Sequence, residues 1–239
     1  MLTWQLLLDS IAHLLFPGIC RYCHEMVADG KSPLCPTCWG QLDILSPEGR
    51  CPHCFGSDYH PQQRRCTTCR QEMRIFHSMA AVWDYQGPAM ALISALKYGN
   101  EPYLAEGLGA FLASQWIQLG WDKPDWIVPM PISKARYLQR GYNQSALLAQ
   151  SMGKLLDIPV VPAVRRRSGD PSQAGLQRSQ RMELEASQFQ LTCDPLLLND
   201  RTILIVDDVI TTGSSLRCCG EALAAGFPDK LYAITLCKA

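Results

Sequence analysis

Charge of one sign is missing from this sequence: 22 lysines and arginines balance 22 aspartates and glutamates over 239 residues. Zero formal charge excludes a nucleic-acid binder that works by overall charge, so any such contact has to come from a local patch. A membrane-spanning run is missing too. The first sixteen residues are apolar, but they carry no positive leading segment, Asp9 and His13 interrupt them, and they are too short to cross a bilayer. Trp4, Leu7, Leu8, Ile11, Leu14 and Leu15 recur at spacings of three and four, which predicts an amphipathic helix docked on the domain. Thr3 is its N-cap candidate and Pro17-Gly18 its stop. Large apolar side chains are also scarce in the roughly 55 residues that follow, too few to fold a module on their own.

What that module has instead is cysteine. Eight of the twelve cysteines form four Cys-x2-Cys pairs: Cys20 with Cys23, Cys35 with Cys38, Cys51 with Cys54, and Cys66 with Cys69. Two cysteines on one tight turn supply half of a tetrahedral thiolate site and a second such turn closes it, so the repeat reads as a doubled zinc ribbon with two structural ions. The simplest grouping takes the first two pairs for one ion and the last two for the other; a crossed grouping uses the same ligands, and the spacing leaves both open. Binding energy on the order of 10 kcal/mol per ion makes metal and fold inseparable. Regular pairs without an export signal predict a cytoplasmic chain with no membrane insertion. His24, His53 and His60 stand near completed thiolate sets and read as surroundings rather than ligands, and Cys193, Cys218, Cys219 and Cys237 as core thiols. Polar residues from Gln62 to Arg74 mark the way out, which divides the chain into residues 1–75 and 76–239.

The second part is organised around Thr202 to Ser215. Ile203, Leu204, Ile205 and Val206 read as a strand buried on both faces of a parallel sheet, ending in Asp207 and Asp208. Thr211, Thr212, Gly213, Ser214 and Ser215 then make a hydroxyl-rich turn ahead of a helix from Leu216 to Ala225. The unpaired N–H groups of a helix start attract a phosphate, a glycine lets backbone approach it, and paired carboxylates suit the two hydroxyls of a ribose. The order predicts a site for a phosphorylated sugar at the carboxyl edge of an α/β sheet.

Other segments predict strands over 80–85, 126–128, 159–164 and 231–237, and helices over 88–98, 104–119 and 145–156. Lys97 near a helix end reads equally as a solvated lysine or a ligand contact. After Pro129-Met130-Pro131 a turn carries Lys134, Arg136 and Arg140 to the ligand side of the sheet. Arg165, Arg166 and Arg167 precede a stretch with no apolar anchor, and Arg178 and Arg181 follow it. These arginines can clamp a diphosphate, meet a nucleic-acid backbone, or stand in solvent.

The string from Ile203 to Ser215 resembles the signature of type I phosphoribosyltransferases, whose ligand is phosphoribosyl pyrophosphate. The chain as a whole resembles the ComF/GntX family, bacterial proteins associated with handling DNA taken up in natural transformation. The likeness extends to the Tyr-x-Gly-Pro turn and Leu-Lys-Tyr of Asp84 to Gly99, to Arg140-Gly141-Tyr142-Asn143-Gln144, where Tyr142 stands in place of the frequent Phe, and to Gln173 to Leu176 with Arg178. It implies a mainly parallel α/β phosphoribosyltransferase-like domain behind a small double zinc ribbon. Asp207 and Asp208 would be the catalytic pair on the ribose; Thr211, Thr212, Gly213, Ser214 and Ser215, with Lys134, Arg136 and Arg140, would bind the phosphates. Mg²⁺ would accompany the diphosphate, and single-stranded DNA and a helicase-like competence protein would be partners. Turnover, if present, would transfer a pentosyl group, but neither an acceptor nor a base is legible. A nucleobase salvage or biosynthetic phosphoribosyltransferase is the alternative function.

Overall fold

A computed structural model describes residues 18–27, 32–59, 62, 66–67, 69, 75–167 and 188–239. The expected helix over residues 1–16, His60, and the tract with Gln173, Arg178 and Arg181 lie outside the described residues. The centre is a sheet of four parallel strands in the order β3, β8, β7, β4, where β3 is Ser78–Asp84, β4 Trp126–Pro129, β7 Thr202–Ile210 and β8 Lys230–Lys238. Ile203, Leu204, Ile205 and Val206 are wholly buried, as an apolar run inside a parallel sheet requires.

Successive side chains of a strand point to opposite faces, and β7 sorts the core accordingly. Leu204 and Val206 pack with α2 (Gly87–Tyr98), α3 (Leu104–Leu119) and α5 (Gln144–Leu156). Ile203 and Ile205 pack with α6 (Ser214–Ala224) and with Val164 and Phe189. α3 stops at Gly120, which takes φ +62, a left-handed value that glycine adopts without strain, and returns its N–H to Ile117 O.

One expected strand is corrected. Residues 159–164 do not add a full strand: Val160 makes a single parallel bridge to Ile127, then the chain leaves the sheet. Pro159 and Pro162 have no N–H to offer, so the ladder ends after Val161 N donates to Ile127 O at 2.9 Å. Val164–Arg166 instead becomes β5, pairing antiparallel with β6, Phe189–Leu191.

The cysteine-bearing segment begins with a two-residue hairpin, β1 (Gly18–Ile19) against β2 (Met26–Val27), and includes the short α1, Pro36–Trp39. Its two halves repeat the same turn. In each, a cysteine N–H bonds the carbonyl five residues on and its own carbonyl accepts from the residue four on. The first turn uses Cys20 with Glu25 and His24, the second Cys51 with Gly56 and Phe55. His24 and Phe55 both take positive φ, 63° and 60°.

This segment shares its core with the sheet layer: Cys20, Leu34, Cys35, Cys38 and Phe55 pack in the same cluster as Val82, Leu92 and Leu112. Leu45 N donates to Val82 O at 2.9 Å, and Met79 N to His53 O at 2.7 Å. The Trp39 ring stacks on Phe111 at 6.0 Å, and Arg50 pairs with Asp84 at 2.9 Å. Arg21 reaches Glu101, in the loop after α2, at 2.5 Å, and the Tyr103 hydroxyl donates to the same carboxylate at 2.9 Å. Gln115, fully buried on α3, donates from Nε2 to both Leu45 O and Ala81 O at 3.0 Å, joining the cysteine segment to β3. Gln115→Ala strips both carbonyls of that donor and is expected to cost about 2 kcal/mol, read as a lower urea midpoint at unchanged slope.

Candidate functional site

The acidic pair lies within β7, short of its end. β8 keeps pairing beyond it, Asp207 opposite Thr235 and Ile210 opposite Lys238, so the strand runs on past the expected stop. On its other side β4 ends with Pro129 opposite Val206, and the last bond there is from Met130 N to Val206 O at 2.9 Å. The two carboxylates therefore flank a gap in the sheet, open on the β4 side.

The first turn of α5 enters that gap. Asn143 caps the helix, its Oδ1 accepting from Ser145 N at 3.0 Å, while its Nδ2 donates to Met130 O at 3.0 Å. Ser145 is thereby placed to donate from Oγ to Asp207 Oδ1 at 2.8 Å, an oxygen that also accepts from Asp208 N at 2.9 Å. Asp208 turns toward α2, where Lys97 Nζ meets its Oδ1 at 2.8 Å. Its side chain is 5% exposed, and Oδ2 has no partner among the described residues. A buried, unpartnered carboxylate oxygen calls for a donor or a cation from elsewhere.

Burial and the neighbouring Asp208 carboxylate push the Asp207 carboxyl up to about 7. Burial and the same acids act on nearby thiols: Cys219 on α6 is pushed up, with Asp207 adding to the effect, and Cys237 rises to about 12, with Asp208 adding. These are core thiols without thiolate character.

From Ile210 the chain passes through exposed Thr211 and Thr212 to Gly213, whose φ of +74 starts α6 without a side-chain cap. Thr212 Oγ1 and Ser214 Oγ lie 3.0 Å apart, and Ser215 is exposed on the first turn. Hydroxyls and helix-start N–H groups are thus gathered at the edge where the acids lie.

The expected basic turn is a helix, α4, Lys134–Arg140, capped by Ser133 accepting from Arg136 N at 3.3 Å. A hydroxyl at the cap and a left-handed Gly141 after the end, at φ +83, supply both helix signals. Arg140 is the member brought to the site: it donates to Gln144 Oε1, next to Ser145, and its guanidinium lies 5.4 Å over the Tyr98 ring. Lys134 and Arg136 are exposed and make no ion pair among the described residues. Arg165 and Arg166 are engaged with Gln190 and Gln188 across the β5–β6 pair. Sequence reasoning missed Ser145, whose only signal is its place after a capping Asn, and Tyr98, which looks like any helix-end aromatic.

The sulfur atoms of Cys20, Cys23, Cys35 and Cys38 lie within 4.8 Å of one another, as do those of Cys51, Cys54, Cys66 and Cys69, which settles the grouping in favour of consecutive pairs. Sulfur–sulfur separations of 3.6, 3.4 and 3.9 Å suit a tetrahedron of sulfurs, whose edge is about 3.8 Å for a metal–sulfur bond of about 2.3 Å. Against burial, which raises it, backbone N–H groups of Cys23, Cys35 and Tyr22 draw the Cys20 thiol down to about 6. The matching groups of Cys66, Cys54 and His53 draw Cys51 down to about 7. Other thiols move the opposite way, burial and the neighbouring sulfurs pushing Cys38 and Cys69 up and Cys54 up to about 11, so without an ion each cluster favours one thiolate among thiols; His24 and His53 belong to neither.

The family model for the phosphoribosyl transferase domain matches residues 106–239. The chain is 30% identical over 205 residues to competence protein F of Haemophilus influenzae, covering 83% of this chain and 87% of that protein. It belongs to the ComF family. DNA utilization protein YhgH of Escherichia coli K12 is 28% identical over 94% of this chain and 99% of its own length. Competence protein ComFC of Bacillus subtilis is 22% identical over 92% and 82%. Among solved structures, the glutamine phosphoribosylpyrophosphate amidotransferase of Bacillus subtilis is similar at 16% identity and a TM-score of 0.39. The likeness covers 54% of this ComF chain and about a quarter of that enzyme, 25%. No described helix is long and apolar enough to cross a membrane.

The raised Asp207 value has a stability consequence. The folded protein holds that proton to higher pH than the unfolded chain, so between the ordinary carboxylate value of 3.8 and about 7 the group's contribution to stability falls as pH rises. Asn at this position can accept the same two hydrogen bonds without the charge. Asp207→Asn is expected to raise the Tm of the ligand-free protein by roughly 2–4 °C per kcal/mol relieved, with a larger gain at pH 8 than at pH 5. A gain independent of pH would contradict a buried charge.

Proposed function

We propose that this chain binds phosphoribosyl pyrophosphate at the carboxyl edge of its sheet and serves, in the cytoplasm, as an accessory to the uptake and processing of single-stranded DNA. The observation that carries the reading is Asp208 Oδ2, a buried acceptor without a partner among the described residues, on the residue that follows Asp207 and that meets Lys97 through its other oxygen. The ribose hydroxyls are donors of the kind it needs. Thr211 to Ser215 would cradle the 5′-phosphate on the helix start, and Arg140, with Lys134 and Arg136 on α4, would face the diphosphate. Asp207 and Asp208 would hold Mg²⁺, which would supply positive charge against the diphosphate. If a pentosyl group is transferred, Asp207 and Asp208 would stabilise positive charge developing at C1′ and the cations the departing anion. The relatives named for competence and DNA utilization support the cellular role; single strands and a helicase-like competence protein would be the partners in it. Zinc in both cysteine clusters completes the reading, and their sulfur spacing supports it.

Calorimetric titration of phosphoribosyl pyrophosphate with magnesium tests the site. The wild type is expected to bind, and the Asp207→Asn, Asp208→Asn double variant to lose more than about tenfold in affinity. Absence of heat from the zinc-loaded wild type would overturn the site. Rapid diphosphate release with a single nucleobase would move the function to salvage. For the metal, two zinc ions per chain are expected, and their removal by a chelator should abolish the near-ultraviolet signal of Trp39 and its neighbours together with cooperative unfolding.

A further inference from the structure

The last turn of α2 is tied down more thoroughly than a surface helix end needs to be. Lys97 is held by Asp208, Leu96 O accepts from the Tyr142 hydroxyl at 2.7 Å, and the loop beyond is held by Arg21 on Glu101. In the middle of these anchors Tyr98 leaves 79% of itself accessible to solvent, and Arg140 lies over its ring. Arg140 is itself oriented by Gln144, one residue from the serine that holds Asp207. A second exposed tyrosine, Tyr137, stands three residues before Arg140 on α4 and so neighbours it on that helix, with Arg136 close by. A rigid, exposed ring with a guanidinium on one side can take a planar, electron-rich heterocycle on the other, and alternating aromatics and cations along a rim are the pattern of single-strand binders.

We propose that Tyr98 and Arg140 form a stacking platform for a nucleobase, placed beside the sugar site by the same helix turn that carries Lys97. The inference rests on the sugar-phosphate reading for its setting and names the ligand class that reading leaves open. The base can arrive in a mononucleotide or in a single strand whose phosphates then follow the exposed cations of α4.

The test uses the zinc-loaded full chain and three probes: phosphoribosyl pyrophosphate, which has no base, thymidine 5′-monophosphate, and an oligothymidylate. Tyr98→Ala is expected to lower affinity for a base-bearing probe about tenfold relative to phosphoribosyl pyrophosphate, and Tyr98→Phe to retain it. Selective loss with the monophosphate identifies a mononucleotide, and with the strand alone, single-stranded DNA; either supports the platform. An equal loss for all three probes, no loss for any, or failure of the wild type to bind any base-bearing probe overturns it. A wild type that binds thymidine monophosphate with Tyr98-dependent affinity but ignores phosphoribosyl pyrophosphate supports the platform while refuting the sugar reading.

Discussion

Two consecutive carboxylates on one interior strand, Asp207 half-buried and Asp208 buried, are the constraint on which the rest of this molecule depends. Neighbouring like charges repel strongly where water is scarce, and a protein keeps such a pair only when the surroundings supply partners. Here the surroundings come from three separate elements. α5 contributes the Ser145 hydroxyl, α2 the Lys97 ammonium, and the backbone of β7 its own Asp208 N–H. The partnering is incomplete at Asp208 Oδ2 and leaves Asp207 poised near neutrality. A scaffold selected only for stability would have no use for that arrangement, which is why stability and ligand affinity pull against each other at these residues.

The unequal strand lengths make the arrangement possible. β7 and β8 are both nine residues long, while β4 has four and stops opposite Val206. The short neighbour opens one side of the sheet without disturbing the other, and Asn143 fixes the start of α5 there, from which the Ser145 hydroxyl reaches Asp207. The cysteine segment contributes from a distance. It packs on α3 and β3 through Trp39, Phe111 and Gln115 and extends the helical layer's core, doing with its cysteines and a borrowed phenylalanine what its own few apolar residues could not.

Much of this was legible in the linear chain. The buried run before Asp207, the prolines after Val128, the glycine in the turn before α6 and the four Cys-x2-Cys pairs each impose a local geometry that tertiary contacts do not reverse. Other features were not legible because they depend on what arrives from far along the chain. β7 passes its acids because β8 lies alongside to pair with them, and residues 159–164 fail as a strand because two prolines remove donors that an apolar count ignores. The basic segment is a helix rather than a turn, since Ser133 and Gly141 are cap signals that its charges overshadow. Lys97 was an even choice between solvent and ligand side until Asp208, more than a hundred positions later, was placed beside it.

Arg21 pairs with Glu101. Arg21 sits inside the first cysteine turn, between Cys20 and Cys23, and Glu101 lies four residues past the lysine that meets the acid pair. The first cysteine turn and the acid pair are therefore joined through the end of α2. Loosening the first cysteine turn would free the Glu101 carboxylate and the loop after α2, one of several places, with Val82, Asp84 and Phe111, where the cysteine segment holds the rest of the chain.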